Sequence, residues 1–259
     1  MTSYLKSEFY RILHNMKSYL FIGICSLLLI SSNVILAIVK YSDSTFKYAN
    51  TDFAIRNYCG SIIFVFFLCV MVASMIFGNE HNNHTMKNSI SYGISRGVIY
   101  FSKLIVEIVY SIAALIIITG MHIGSAYLLL ENSSPRSLEL LARACFVSIP
   151  LFLFVLATTN CFAFIIESSG AGFAATSGLI IALPIASNFL GMRFASIKKF
   201  AEILPLNLVN SIGINGTDYY IDLPWDGNAG YYNYWLAGLI QMVIIMLIGY
   251  VVFRKKEIK

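Results

Sequence analysis

Residues 80–84 read Glu-His-Asn-Asn-His, and two imidazoles three positions apart beside a carboxylate could hold a metal, because on a helix they share a face. The order is neither HExxH nor the inverted HxxEH, and no third ligand of matching context lies nearby. A solvated polar turn fits this spacing better than a metal centre. His122 and Glu107 each lie within a long apolar run, where an ionisable side chain is a candidate functional position by default. For His122 the simpler chemistry is a neutral ring bonded to a neighbouring serine or a backbone carbonyl. Glu107 is one turn into its run, so its carboxylate is expected to snorkel to water and to have no catalytic role. Asn160 and Asn188 are neutral polar residues inside later apolar runs and, with His122, are the candidates for lining a substrate path. There is no GxxxxGK[ST] phosphate loop, no GxSxG, no paired intramembrane Asp and no spaced Ser/Lys dyad. The chain is therefore not read as an enzyme. If it does energy-dependent work, the ATPase is another chain.

These groups sit in a chain that needs lipid as its main solvent. Of its 259 residues, 58% are apolar and 12% charged, and the mean hydropathy is +0.75. A soluble protein carries about a quarter charged residues. The net charge of +5 reads as positive-inside anchoring, not as a nucleic-acid footprint, because Lys and Arg flank apolar runs and form no stripe. Cys25, Cys59, Cys69, Cys145 and Cys161 show no CxxC or metal spacing and read as small buried hydrophobes. No disulfide framework follows.

The elements that must position the groups are helices. Six stretches are long enough to span, at about 20 residues per crossing: residues 19–39, 58–77, 104–130, 144–166, 172–191 and 235–253. The first is longer than a signal-peptide core and lacks a small-x-small cleavage site, so it is expected to stay in the membrane. The second is the cleanest, with no charge. The third is over-long, which implies tilt or an interfacial first turn. Pro150 and Pro184 are expected to kink the fourth and fifth, and small residues from Gly170 to Gly178 suit small-residue helix packing. Residues 1–18 carry Leu5, Phe9, Ile12, Leu13 and Met16 at helical spacing and read as an amphipathic helix in the inner interface.

With both termini inside, the internal segments hold ten basic residues against four acidic ones, whereas the outer loops hold eight of each sign. Residues 192–234 form the largest external loop. Within it, 197–204 reads as a short amphipathic helix stopped by Pro205, followed by a Tyr- and Trp-rich stretch that suits an aromatic belt. The fold class is an all-α integral membrane protein: six transmembrane helices, one domain over 1–259, and a polar island at 78–103 facing the cytoplasm between the second and third spans.

That island carries a resemblance. It reads Phe77-Gly78-x-Glu80, then His84-Thr85-x-Lys87-Asn88, then Tyr92-Gly93-x-Ser95-Arg96, and after Tyr100 the Lys103 that leads into the next span. Together with six spans, an N-terminal interfacial helix and the basic ending from Phe253 to Glu257, this resembles the permease subunit of ABC-2 type transporters, over essentially the whole chain. Among subgroups it is most similar to bacterial bacitracin and lantibiotic self-protection permeases. His84 stands where the family more often has Gly.

The resemblance implies a plasma-membrane exporter of two permeases, the second a copy or a paralogue, and two ABC ATPase subunits. ATP and Mg would sit in the ATPases, and this chain would bind no cofactor. Its partners would be those subunits and membrane lipid, with no nucleic acid. The island would form a coupling helix docked in an ATPase cleft, with Glu80, Thr85, Lys87 and Arg96 as the contact residues. Thr85 or Asn83 would cap the helix, Gly93 would end it, and Ser95 would cap the next. The substrate implied is amphipathic or hydrophobic, a peptide antibiotic or related toxin. The alternatives are an ion such as sodium, another small solute, or a membrane anchor or sensor that transports nothing.

Overall fold

The computed structural model describes residues 2–61, 64–83, 86–133, 135–166, 168–214, 221–222 and 230–256. Among them, five helices are long and apolar enough to cross a membrane: α2 (Met16–Ser42), α6 (Arg96–Leu129), α7 (Arg136–Ile165), α8 (Ser169–Gly191) and α11 (Gly230–Lys255). The shorter helices are α1 (Thr2–Leu13), α3 (Thr51–Gly60), α4 (Phe64–Asn83), α5 (Met86–Ser91), α9 (Ala195–Glu202) and α10 (Pro205–Asn210). One two-residue antiparallel pair, β1 (Gly213–Ile214) with β2 (Ile221–Asp222), completes the described elements.

The run at 58–77, expected as the cleanest single span, is a bent pair. α3 and α4 meet at 64°, and they make a sixth crossing only if taken as one broken span. α3 ends at Gly60 and α4 begins at Phe64; directly after α3, Ser61 Oγ donates to the Asn57 carbonyl at 2.9 Å. A Gly–Ser pair bonding back into the preceding turn is a usual cause of a sharp helix break.

α7 lies at the centre. It packs against α11, α4, α3 and α8 and is buried along most of its length, while α2 and α11 expose much of their apolar surface. Lipid gives little hydrophobic drive for one helix to leave it for another, so close packing decides which faces meet. The close face belongs to α11. Gly238 and Gly249 are separated by about three turns and point at α7. A Cβ on Gly238 would sit 2.8 Å from the Pro150 carbonyl carbon, and one on Gly249 would sit 2.8 Å from Cys161 Sγ. The small residues opening α8 do less, since a Cβ on Gly170 or Gly178 would meet open space.

The loop after α8 folds as two short helices, and Pro205 does more than stop the first. It opens α10 at the first helical position, where its missing N–H costs nothing. Trp235 Nε1 donates to the Phe146 carbonyl at 3.1 Å; Tyr219, Tyr220 and Trp225 of the aromatic stretch lie outside the described residues. At the far end of α2, Lys40 pairs with Glu131. The hydroxyl of Thr45, and then its N–H, hold the Asp43 carboxyl below the usual carboxylate range. All five cysteines are free; Cys59, Cys69 and Cys161 are buried, whereas Cys145 is exposed.

Candidate functional site

The polar island is built around α5, a six-residue helix whose two apolar residues, Met86 and Ile90, pack with Ile94 against the core that holds Phe77, Ile99, Tyr100 and Phe253. Its other face is open: Lys87, Asn88, Ser91 and Tyr92 are exposed, Tyr92 by 86%. The end of the helix is set by a left-handed residue, Gly93, at φ +82°. Gly93 N–H donates to the Ile90 carbonyl at 2.9 Å and Ile94 N–H to the Ser89 carbonyl at 3.3 Å. This paired closure is the Schellman motif, which only a residue tolerant of positive φ completes without strain. Ser95 then caps α6, accepting from the Val98 N–H at 3.4 Å. Gly93 and Ser95 therefore act as expected. Glu80 lies in the last turn of α4, but its side chain and all of His84 and Thr85 fall outside the described residues.

Arg96 opens α6, where a cation opposes the helix dipole. Its side chain resolves that conflict by crossing to the end of α11. There Nη1 donates to the carbonyls of Phe253, Arg254 and Lys256 at 3.0, 2.7 and 2.6 Å. Lys256 Nζ in turn donates to the Phe164 and Ile165 carbonyls, at 3.2 and 3.0 Å, closing the end of α7. Two basic side chains thus satisfy the last carbonyls of two crossing helices beside the α5 turn.

A second polar tie holds α1 there. Lys103, wholly buried, donates to Glu8 Oε2 at 3.2 Å and lies over the Phe77 ring at 5.0 Å. Arg11 donates to the same Glu8 oxygen at 2.5 Å and to the Ile76 carbonyl at 3.2 Å. The amphipathic N-terminal helix is therefore pinned by charge as well as by Leu5, Phe9 and Ile12, while Leu13 and Met16 are exposed.

The snorkelling expected of Glu107 is overturned. Its carboxylate is fully buried, Oε1 accepting from the Thr159 hydroxyl at 2.6 Å and Oε2 having no hydrogen-bond partner. It faces α7 and not the water, because α6 begins at Arg96 and places residue 107 three turns inside the helix.

The three intramembrane candidates have separate surroundings. His122 meets α2 and α3: its Nδ1 lies 3.3 Å from Asn33 Nδ2 and its Nε2 3.5 Å from the Ala54 carbonyl, while Asn33 Nδ2 donates to the His122 carbonyl at 3.0 Å and to Ser125 Oγ at 2.8 Å. Asn160 is buried in α7 next to the Tyr100 hydroxyl, with no hydrogen bond to either of its side-chain atoms. Asn188 and Asn207 exchange side-chain hydrogen bonds at 3.0 and 3.1 Å, tying α8 to α10. Asn33 and Glu8 were missed from the sequence, and only a lone Asn inside the first apolar run hinted at the former. No group of three His, Cys, Asp or Glu that could hold a metal occurs among the described residues.

A family model described as ABC-2 family transporter protein matches residues 4–184, a stretch that takes in α1, the broken pair, the α5 turn and the buried α6–α7 contact. No curated protein matches the chain.

Proposed function

We propose that this chain, which belongs to the ABC-2 transporter family, is the permease subunit of an exporter in which α5 is the coupling helix. Membership makes it a multi-pass transport component and not itself a catalyst, and the family in general works with an ABC ATPase. The proposal adds the finer assignment. The chain is one domain over 1–259 that crosses the bacterial plasma membrane six times, α3 and α4 together forming the second crossing, with both termini in the cytoplasm. Residues 1–18 lie in the inner interface, 78–103 face the ATPase and 192–234 lie outside. ATP and Mg belong to the ATPase, and the permease pairs with a second copy or a paralogue.

The observation that carries this reading is the geometry of α5. A short helix with Met86 and Ile90 on the core and Lys87, Asn88 and Ser91 outward, followed by the exposed Tyr92, is a polar projection that suits a docking partner. It sits directly between α4 and α6, so a push on it reaches both. Glu80, Thr85 and Lys87 supply contact chemistry. Arg96 acts by holding the end of α11 against the same turn. ATP binding would close the ATPase pair and hydrolysis reopen it, with α5 carrying the motion to the spans.

The cargo proposed is an amphipathic or hydrophobic molecule, a peptide antibiotic or toxin, moved outward along the permease–permease interface. A second reading, extrusion of an ion such as sodium, is supported by the buried and half-satisfied carboxylate of Glu107. Survival under peptide-antibiotic challenge against growth in high sodium, with and without the protein, separates the two. Co-purification tests the core of the proposal. A stoichiometric ATP-hydrolysing subunit should accompany the chain and be lost on Glu80→Ala or Lys87→Glu; a chain that purifies with no such subunit would be an anchor or sensor instead.

A further inference from the structure

The two sides of α1 carry opposite chemistry. Inward, Leu5, Phe9 and Ile12 join the core, and Glu8 is buried between Lys103 and Arg11. Glu8 is the only acid in residues 2–17, so the helix has turned its single negative charge away from the surface. Outward, Ser3, Lys6, Tyr10 and Leu13 are exposed at spacings of three and four, which puts them on one stripe. Lys17 follows after the Asn15 cap and is exposed as well. It opens α2, where a cation opposes the helix dipole. Arg96 meets the same conflict by reaching carbonyls. Lys17 and Lys6 have no side-chain partner among the described residues, so nothing described in the protein offsets their charge.

The surface around these lysines is apolar and leads into the bilayer. Leu13 and Met16 are 54% and 80% exposed, and beyond them Leu20, Ile24 and Leu27 form part of the open face of a helix long enough to cross the membrane. Tyr10 and Tyr19 are exposed on either side of the α1–α2 bend. The Tyr10 ring stacks on His14 at 3.8 Å, and Tyr19 Oη donates to the Leu13 carbonyl at 2.6 Å, which fixes both rings at the junction. Tyrosine in that position suits a membrane–water boundary. We propose that the outward side of α1 and the first turn of α2 select anionic phospholipids of the phosphatidylglycerol type. Lys6 and Lys17 pair with the head-group phosphates while Leu13 and Met16 enter the acyl boundary. A zwitterionic lipid also has a phosphate, but its own ammonium group competes with the lysines for it. The lipid grips α1, and the Glu8–Lys103 bond carries that grip to α6. The proposal rests on the placement of residues 1–18 in an interface, and on nothing assumed for α5, the ATPase or the cargo.

The test uses the full-length chain in nanodiscs of phosphatidylcholine and phosphatidylglycerol in equal amounts, without nucleotide or ATPase. Either lipid is supplied in trace as a probe with a diazirine beside its head group, and labelled peptides are quantified by mass spectrometry. A lysine near an anionic surface is worth about fivefold in binding, so the phosphatidylglycerol probe should label residues 2–17 at least about fivefold more than the phosphatidylcholine probe. The ratio should fall toward one in the Lys6→Gln, Lys17→Gln double variant and persist in the Lys6→Arg, Lys17→Arg one. It should also fall for the unmodified chain at about 1 M salt, where charge is screened within about 3 Å. Equal labelling by the two probes at low salt would overturn the selectivity without needing any variant to fold. A preference that the glutamine pair leaves intact would overturn the role of the two lysines. No labelling of residues 2–17 by either probe would overturn the interfacial placement itself. None of these failures touches the coupling proposal, which is read by partner capture.

Discussion

Removing the Glu8 carboxylate should cost far more than removing the buried lysine that it binds. Glu8 is 5% exposed and Lys103 0%, with 3.2 Å between Nζ and Oε2. At an effective dielectric near 20, unit charges at that distance attract by about 5 kcal/mol before desolvation. Glu8→Leu strips the carboxylate from two cations at once. Arg11 is part-exposed and keeps the Ile76 carbonyl, so it relaxes toward water; Lys103 stays in the interior over Phe77 and loses its hydrogen-bonded Glu8 carboxylate. Removing one partner of a buried ion pair costs up to about 3–5 kcal/mol. Lys103→Met leaves Glu8 with Arg11 at 2.5 Å and should cost only about 1–2 kcal/mol. The double variant also removes the buried lysine whose Glu8 carboxylate is gone, so it should be more stable than Glu8→Leu alone, with a coupling near about 2 kcal/mol. Unfolding by SDS in mixed micelles, followed by loss of helix signal, measures all four forms. Additive costs within about 0.5 kcal/mol, or Lys103→Met as the worst of the three, would refute the buried tie between α1 and α6.

Three further outcomes follow from named contacts. Gly238→Ala drives a Cβ into backbone atoms of α7 and should destabilise by about 1–3 kcal/mol in the same assay, while Gly178→Ala, which meets open space, should be near neutral. Gly93→Val forces a β-branched residue to positive φ and should cost about 1–2 kcal/mol, loosening α5; Gly93→Asn should recover most of the loss, as read by proteolysis between residues 86 and 96. Arg96→Met removes the one nitrogen, Nη1, that three carbonyls share, so hydrogen exchange at residues 253–256 should quicken at least several-fold, and unchanged protection there would contradict the staple.

Local chemistry was legible in the sequence wherever one residue decides the backbone. Gly93 and Ser95 announced the α5 turn, Pro205 announced a helix boundary, and the apolar runs announced the crossing helices. What stayed hidden depended on partners far along the chain. Arg96 looked like an ATPase-contact residue because its three acceptors, the carbonyls of Phe253, Arg254 and Lys256, lie far along the chain. Glu107 looked like a snorkelling acid because counting from the apolar run hid the two extra turns that α6 adds from Arg96. The break after Gly60 was hidden because the apolar run was read from Tyr58 onward, which left out most of the polar helix α3. Gly238 and Gly249 drew no notice, since only the nearness of Pro150 and Cys161 gives them a task. Periodicity reports which solvent a face meets; it says nothing about which helix shares that solvent.

The most direct test of the coupling reading is a photo-cross-link from α5 in intact cells. A benzophenone amino acid replaces Tyr92, exposed by 86% on the open face, and a control replaces Leu128, equally exposed at the other end of α6. The expected result is an adduct from position 92 to a subunit bearing a phosphate loop, with none from position 128, and its disappearance on Lys87→Glu. No ATPase adduct from position 92, or the same adduct from both positions, would contradict α5 as the coupling helix.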